Sequence, residues 1–334
     1  MKRFFALCLM LWICIFAVPY IMFGKESKPV PELPLPTVQP PEDSSHTVDA
    51  GVTVTLNRDG SVENIPLDEY LRGVVAAEMP ALFPEEALKA QAVAARTYTM
   101  KKIAAPPAAE HGGAAVCDNP AHCKAYKPIS SFAASWDTQY EEYTDKISRA
   151  VSETDGEIML YNNEPITAVF HSTSSGKTEN AEDVWGNAVP YLVSVESSGE
   201  HESPRYEDEK ILSPEEFKKV ITEKYPEASF DENPENWTGE ISRSAAGGVK
   251  SLNVAKVKLS GGDFRSLFGL NSTNFTVSYS DGRMSIKTRG YGHGVGMSQY
   301  GARAMALDGK NYKDILKSYY TGITLGKISE KSSS

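Results

Sequence analysis

The chain has 334 residues, 23% of them charged, and a formal net charge of −10. With no long basic run, that balance argues against nucleic acid as the main partner. Of four cysteines, Cys8 and Cys14 lie in the apolar N-terminal run, and the remaining two, Cys117 and Cys123, are too few to build a disulfide-held fold of this size.

The N-terminus, MKRFFALCLMLWICIFAVPYIMFG, sets Lys2 and Arg3 ahead of an uncharged apolar run from Phe4 to Phe23. About 20 such residues suffice to cross a bilayer as one helix. The run is long for a signal-peptide core and no A-x-A-like cleavage site follows it, so residues 1–24 are expected to be an uncleaved single-pass anchor. The basic pair ahead of the span favours a cytoplasmic N-terminus and an extracytoplasmic remainder, with Lys25 and Lys28 weakening the asymmetry. Residues 25–45 carry prolines at 29, 31, 34, 36, 40 and 41 and read as an extended linker. Residues 46–328 have an ordinary globular composition, enough for one large domain or two lobes, and residues 329–334 read as a disordered tail.

The stretch PLDEYLRGVVAAEMP predicts a helix from Pro66 to Glu78, opened by Asp68 and Glu69 and stopped at Met79-Pro80. Leu71, Val74 and Val75 form its apolar stripe, and Glu78 extends that stripe rather than the solvated face. Two outcomes are open. A carboxyl desolvated among Val, Ala and Met has a raised pKa, the property a general acid needs near neutral pH. Alternatively, the last turn frays and Glu78 pairs with Arg72 or Arg96. A second helix is expected over 85–103, with Leu88, Ala92, Ala95 and Thr99 on its packing face.

The segment HGGAAVCDNPAHC spaces His111, Cys117 and Cys123 as H-x5-C-x5-C, with His122 directly before the last cysteine. Three N/S donors on one loop suit zinc, with a fourth position open or filled from elsewhere; a Cys117 to Cys123 disulfide is the alternative. Pro165 to His171 reads as a strand that delivers His171, Ser172 and Thr173 to a polar, turn-rich loop. Neighbouring strand side chains point to opposite faces, which speaks against a Ser172/His171 nucleophile pair. Trp185 and Tyr191 offer stacking faces for sugar rings. A charged, solvated helix is expected from about Pro214 to Lys224.

In RGYGHGVGMSQYGA, glycine recurs at 290, 292, 294 and 296 and again at 301. The spacing fits neither a dinucleotide fingerprint nor a phosphate-binding loop. Period two predicts a strand with the glycines on one face and Arg289, Tyr291, His293, Val295 and Met297 on the other. A smooth face suits the close approach of another backbone or of a flat ligand such as a sugar. Helices are expected over 297–307, where Gln299 and Tyr300 lie in the first turn, and over 312–320. Clear helices alternating with strand-rich stretches give a mixed α+β ectodomain.

The blocks VVAAEMP with ALKAQAVAARTY, then FHSTSSGKTENAEDVWG, then GYGHGVGMSQYGA run in this order between about Val52 and Gly322. Together they resemble the stage II sporulation protein D family of membrane-anchored peptidoglycan lytic transglycosylases. The resemblance implies cleavage of glycan strands between N-acetylmuramic acid and N-acetylglucosamine to 1,6-anhydro ends during engulfment, at the mother-cell membrane facing the forespore. It places the single acid/base at Glu78, and beside it the residues themselves suggest a substrate groove along His171, Ser172, Trp185, Tyr191, Tyr291, His293, Gln299 and Tyr300. Some members of the family carry one zinc ion on a histidine and two cysteines, here His111, Cys117 and Cys123. It further implies peptide-stripped glycan as substrate, and as partners the amidase stage II sporulation protein P and the membrane protein stage II sporulation protein M. Two other readings compete: a zinc amidase centred on the Cys/His loop, and a non-catalytic wall-binding enhancer of an amidase.

Overall fold

The computed structural model describes residues 47–119 and 122–328. The expected anchor, linker and tail lie outside them, and among the described residues no helix is long and apolar enough to cross a membrane. The fold is mixed α and β with several small sheets, as the alternation of helical and extended patterns predicts.

Strands β1 (Thr53–Arg58) and β2 (Ser61–Pro66) form an antiparallel hairpin that runs straight into helix α1 (Leu67–Glu78). Leu71, Val74 and Val75 are fully buried, as the stripe predicts. Helix α1 packs on α2 (Glu85–Ala104), whose interior positions from Ala87 to Thr99 are almost all buried. Burial on every side makes α2 a central helix, in keeping with the packing role expected of it, and it carries the polar Gln91 and Arg96 inside as well. Strand β3 (Val116–Cys117) adds in parallel to β1, helix α3 (Tyr140–Ser152) covers α1 and α2, and β4 (Glu157–Tyr161) pairs with β5 (Glu164–Pro165).

The strand expected over 165–171 is broken: only Glu164–Pro165 and β6 (Phe170–His171) are paired. After the short helix α4 (Ala181–Trp185), the chain enters a second lobe with its own hydrophobic cluster. That lobe holds β7 (Glu207–Leu212), α5 (Pro214–Lys224), β8 (Thr238–Arg243), β9 (Val249–Val254), β10 (Val257–Ser260), α6 (Gly261–Phe268), β11 (Phe275–Ser280) and β12 (Arg283–Arg289). Its sheets run β10-β9-β8 and β11-β12-β7. Helix α5 is charged outside, but Phe217 and Ile221 anchor it in this second core, so it is a packed element and not merely a solvated one.

Residues 290–296 return the chain to the first lobe, and here the strand expectation fails. Strand β12 ends at Arg289, and Gly290, Gly292, Gly294 and Gly296 all have positive φ. The glycines share no smooth face. Gly296 lies so close to the Val169 carbonyl that an added Cβ would collide with it, and that approach lets β13 (Met297–Ser298) pair in parallel with β6. The backbone ligand of this segment is the protein itself. Helix α7 therefore starts at Gln299, not Met297, and runs to Leu307, with the Ser298 hydroxyl capping it by accepting from Gly301 N–H. Helix α8 (Tyr312–Tyr319) follows, and β14 (Thr324–Lys327) closes on β4.

The first lobe is pinned by a buried ion pair. Arg96 on α2 is fully buried: its Nη2 donates to Asp49 Oδ2 at 2.7 Å and to the Val151 carbonyl, its Nε donates to the same carboxylate, and its Nη1 donates to Thr154 Oγ1 and the Glu157 carbonyl. Asp49→Ala would leave this guanidinium buried without its counter-ion, so denaturant unfolding should show a loss of about 3–5 kcal/mol, the usual cost of breaking a buried pair from one side.

Candidate active site

Glu78 is the last residue of α1 and Met79 is already extended, so the helix ends under the carboxyl rather than fraying away from it. The alternative of an arginine partner fails on geometry. Arg72 pairs with Asp68 at 3.0 Å and Arg96 with Asp49. Instead, Glu78 Oε1 accepts from the Ala125 N–H at 2.7 Å. Burial raises the pKa of the carboxyl above its ordinary value, against lowering by the Lys124 cation and by that N–H. Lys124 is itself buried, its ammonium 3.6 Å from the Phe170 ring centroid and 4.6 Å from that of Tyr98. Desolvation pushes it down to about 8 despite the neighbouring Glu78 and Cys123.

The contact between α1 and the 123–127 loop needs a glycine. A Cβ on Gly73 would lie 2.6 Å from the Lys127 carbonyl oxygen, and Tyr126 stacks on Tyr70 with centroids 5.2 Å apart. Bare backbone at 73 thus lets the loop settle close enough for its N–H to reach Glu78 one and a half turns on.

Glu78 opens into a groove of about 490 Å³. Pro80, Phe170, His171, Ser172, Ser203 to Arg205, Tyr291 to His293, Gln299 and Tyr300 complete its lining. Six of the eight residues expected to line a groove are therefore together. Tyr191 is not among them. Its ring is buried beside Tyr161 and its hydroxyl accepts from Thr167 N–H at 3.0 Å, so it serves the core. Trp185 is also off the lining, exposed on its own side and tilted against His293 at 5.3 Å between centroids.

The two histidines are neutral framework. His171 Nδ1 donates to the Val295 carbonyl at 3.2 Å, and His293 Nδ1 accepts from Val295 N–H at 3.0 Å. Burial holds His171 down to about 4 and His293 down to about 3, so each is a neutral imidazole with a single N–H at neutral pH. Ser172 is not activated by His171; its hydroxyl meets Thr173 Oγ1 at 3.2 Å. The Gln299 side chain donates to the Glu78 carbonyl at 2.9 Å and so fixes the helix end, while the Tyr300 ring packs edge-on against Phe83. A slightly larger concavity of about 560 Å³ lies on the second lobe, but its acids Glu207, Asp208 and Glu209 are all exposed, Glu207 paired with Arg289 and Glu209 with Lys287.

On the far side of the 123–125 loop, Cys117 and Cys123 are free and buried, so the disulfide alternative is absent from this structure. The ligand atoms of His111, Cys117 and His122 lie within 4.8 Å of one another, and Cys123 Sγ is 3.6 Å from His111 Nε2. His111 Nδ1 is buried with no hydrogen-bond partner among the described residues. His111, Cys117 and His122 thus cluster, with Cys123 beside His111, and two thiols with two imidazoles are the donor types of a tetrahedral zinc site. His122, adjacent to Cys123, is the donor that the H-x5-C-x5-C reading leaves out. Lys124, Ala125 and Arg205 had no signal at all, since each reaches the site through a fold contact distant in sequence.

Comparison with known proteins identifies the family. A family model described as "SpoIID: Stage II sporulation protein" matches residues 57–161, which hold Glu78 and the Cys/His cluster. The stage II sporulation protein D of Bacillus subtilis (strain 168) is 43% identical over 268 residues, covering 80% of this chain and 76% of that protein. The chain belongs to the stage II sporulation protein D family. The Bacillus amyloliquefaciens member is 40% identical over 277 residues, covering 83% of this chain and 78% of that protein. A more distant relative, named "Amidase enhancer", from Bacillus subtilis is 30% identical over 76% of this chain and 40% of its own length.

A raised native pKa at Glu78 has a stability consequence with a definite sign. The native carboxyl holds its proton to higher pH than the unfolded chain does, so its contribution is fully present below the ordinary value of 4.5 and is lost as pH rises through the native value. Glu78→Gln abolishes that loss. Thermal unfolding should show the variant above wild type at about pH 7.5, with the gap closing by about pH 4.

Proposed function

We propose that this protein is a peptidoglycan lytic transglycosylase with Glu78 as its only acid/base. The observation that carries the reading is the charge inventory of the groove: among the described residues lining it, Glu78 is the only carboxylate, and it is desolvated. Ordinary glycoside hydrolysis uses two carboxyl groups, one on each side of the bond. A single carboxyl suffices when the substrate supplies its own nucleophile. Protonated Glu78 gives its proton to the glycosidic oxygen as the bond from C1 of the muramoyl sugar breaks. The resulting carboxylate then takes the proton of that sugar's C6 hydroxyl as O6 bonds to C1, leaving a 1,6-anhydro end and restoring the acid. Burial favours the first step, while the Lys124 cation and the Ala125 N–H stabilise the carboxylate between the two.

The substrate class is the glycan of the cell wall, and the family name points to sporulation as its setting. Peptide-stripped strands, an anchor in the mother-cell membrane, and cooperation with the amidase stage II sporulation protein P and the membrane protein stage II sporulation protein M belong to the same proposal. The relative named "Amidase enhancer" favours a second reading, in which the groove binds glycan without cleaving it.

One zinc ion would be held by His111, Cys117 and His122, with Cys123 beside His111 as the fourth donor, and with all four engaged it would supply a structural clamp rather than an activated water. Those residues tie the loop whose Ala125 N–H binds Glu78. A zinc amidase would need an open position and is the weaker reading.

Two experiments test these statements. Incubated with peptide-free glycan strands, wild type should release fragments lighter by one water than hydrolysis products, read by mass spectrometry, and Glu78→Gln should lose at least about 100-fold in rate. Binding by both proteins with cleavage by neither would select the enhancer reading. Elemental analysis should find one zinc per chain in wild type and a reduced content in Cys117→Ser, with a lower melting temperature on chelation.

A further inference from the structure

The groove that holds Glu78 has one other charged side chain on its lining, Arg205. Its guanidinium lies 4.9 Å from the Tyr291 ring centroid. Among the described residues it makes no ion pair and its side chain no hydrogen bond, while other basic groups near by are spent: Arg289 on Glu207, Lys287 on Glu209, Arg265 on the Leu270 carbonyl. An exposed arginine without a partner is ordinary on a surface. At this place it is unusual, because the chain carries a net charge of −10 and acids to pair with are plentiful.

Its mounting is rigid. Arg205 N–H donates to Ser203 Oγ at 3.2 Å, and that hydroxyl accepts from Thr173 Oγ1 at 2.8 Å. The Tyr206 carbonyl accepts from Gly290 N–H at 2.7 Å, and Tyr291, whose ring carries the guanidinium, exchanges two backbone hydrogen bonds with Thr173. Both the arginine and its aromatic platform are thus fixed to the segment that leads from His171 and Ser172. A guanidinium stacked on a ring keeps its N–H edge free, and that planar fork matches a carboxylate in two parallel hydrogen bonds. The field agrees: besides Arg205, the cations Lys124 and Arg265 both act on His293 in the groove wall, and Glu78, the opposing acid on the lining, has a raised pKa.

We infer that Arg205 is a specificity-determining residue that binds the lactyl carboxylate of a muramoyl residue lying in the Glu78 groove. This rests on the glycan reading above. N-acetylglucosamine carries no carboxyl group. Muramic acid carries one on its O3 lactyl ether, and it is anionic only where no stem peptide converts it to a neutral amide. A fixed guanidinium in the groove therefore distinguishes muramoyl from glucosaminyl sugars and a bare lactyl group from a peptide-bearing one.

The test is binding, not turnover. With the full-length protein in detergent, carrying Glu78→Gln throughout so that no strand is cut and called wild type below for its Arg205, dissociation constants are measured for three glycans of equal length: a peptide-free alternating strand, the same strand with its lactyl carboxyls converted to methyl amides, and a chitooligosaccharide. Wild type should favour the free carboxylate over the amide by about ten-fold or more, the usual strength of a charge-assisted hydrogen bond. Arg205→Gln should lose that preference and keep its chitooligosaccharide affinity, and Arg205→Lys should recover part of it in low salt only. An unchanged preference in Arg205→Gln, or equal affinity of wild type for carboxylate and amide, overturns the assignment while leaving the groove a glycan site. Failure of wild type to bind any of the three overturns the glycan reading and this inference together.

Discussion

The loop at 123–127 rests on α1 where Gly73 leaves room for it, and the site depends on that contact. It brings the Ala125 N–H to 2.7 Å from Glu78 Oε1 and sets the Lys124 ammonium over the Phe170 ring, where its charge acts on Glu78. A carboxyl in this position is pulled in two directions. Burial favours the neutral acid, and the cation and N–H favour the ion. A group that must give a proton and then take one back is best served when neither form is overwhelmingly preferred. The same loop ends in the Cys/His cluster, so whatever holds that cluster together also holds the donor on Glu78.

The opposite wall is built by backbone on backbone. Positive φ at Gly290 to Gly296 lets the returning chain pass within contact of Val169, His171 and Glu179, and the Val295 peptide unit engages both groove histidines, its carbonyl on His171 and its N–H on His293. Helix α7 then starts with Gln299 on the Glu78 carbonyl. Behind it, the buried carboxylate of Glu200 accepts from Ser174, Ser197 and Ser298 hydroxyls, joining the 174 loop to the cap of α7. Elements far apart in sequence therefore meet around one carboxyl through short, directional bonds, which is how a site on loops acquires the rigidity of a core.

Much of this was legible in the sequence where a local rule governed it. The 3.6-residue period gave α1 and put Glu78 on its buried face, and the proline before Glu85 marked the start of α2. The three motif blocks carried the family. What stayed hidden was set by contacts across the fold. Period-two glycines read as a strand because alternation says nothing about the sign of φ. Tyr191 read as a sugar platform because an aromatic in a loop looks the same whether its hydroxyl faces solvent or caps Thr167. The Asp49 partner of Arg96 is 47 residues away and lies before β1, so no spacing rule could propose it.

The central claim is that burial makes Glu78 hold its proton to higher pH than an ordinary glutamate does. The most direct measurement is the titration of its carboxyl carbon by NMR in protein labelled at glutamate, with Glu78→Gln to assign the resonance. The account predicts a midpoint clearly above the ordinary value of 4.5, moving further up when Lys124 is replaced by methionine and its lowering influence is lost. A midpoint at or below that value would mean that the carboxyl is solvated or ion-paired, and the acid role assigned to Glu78 would fall.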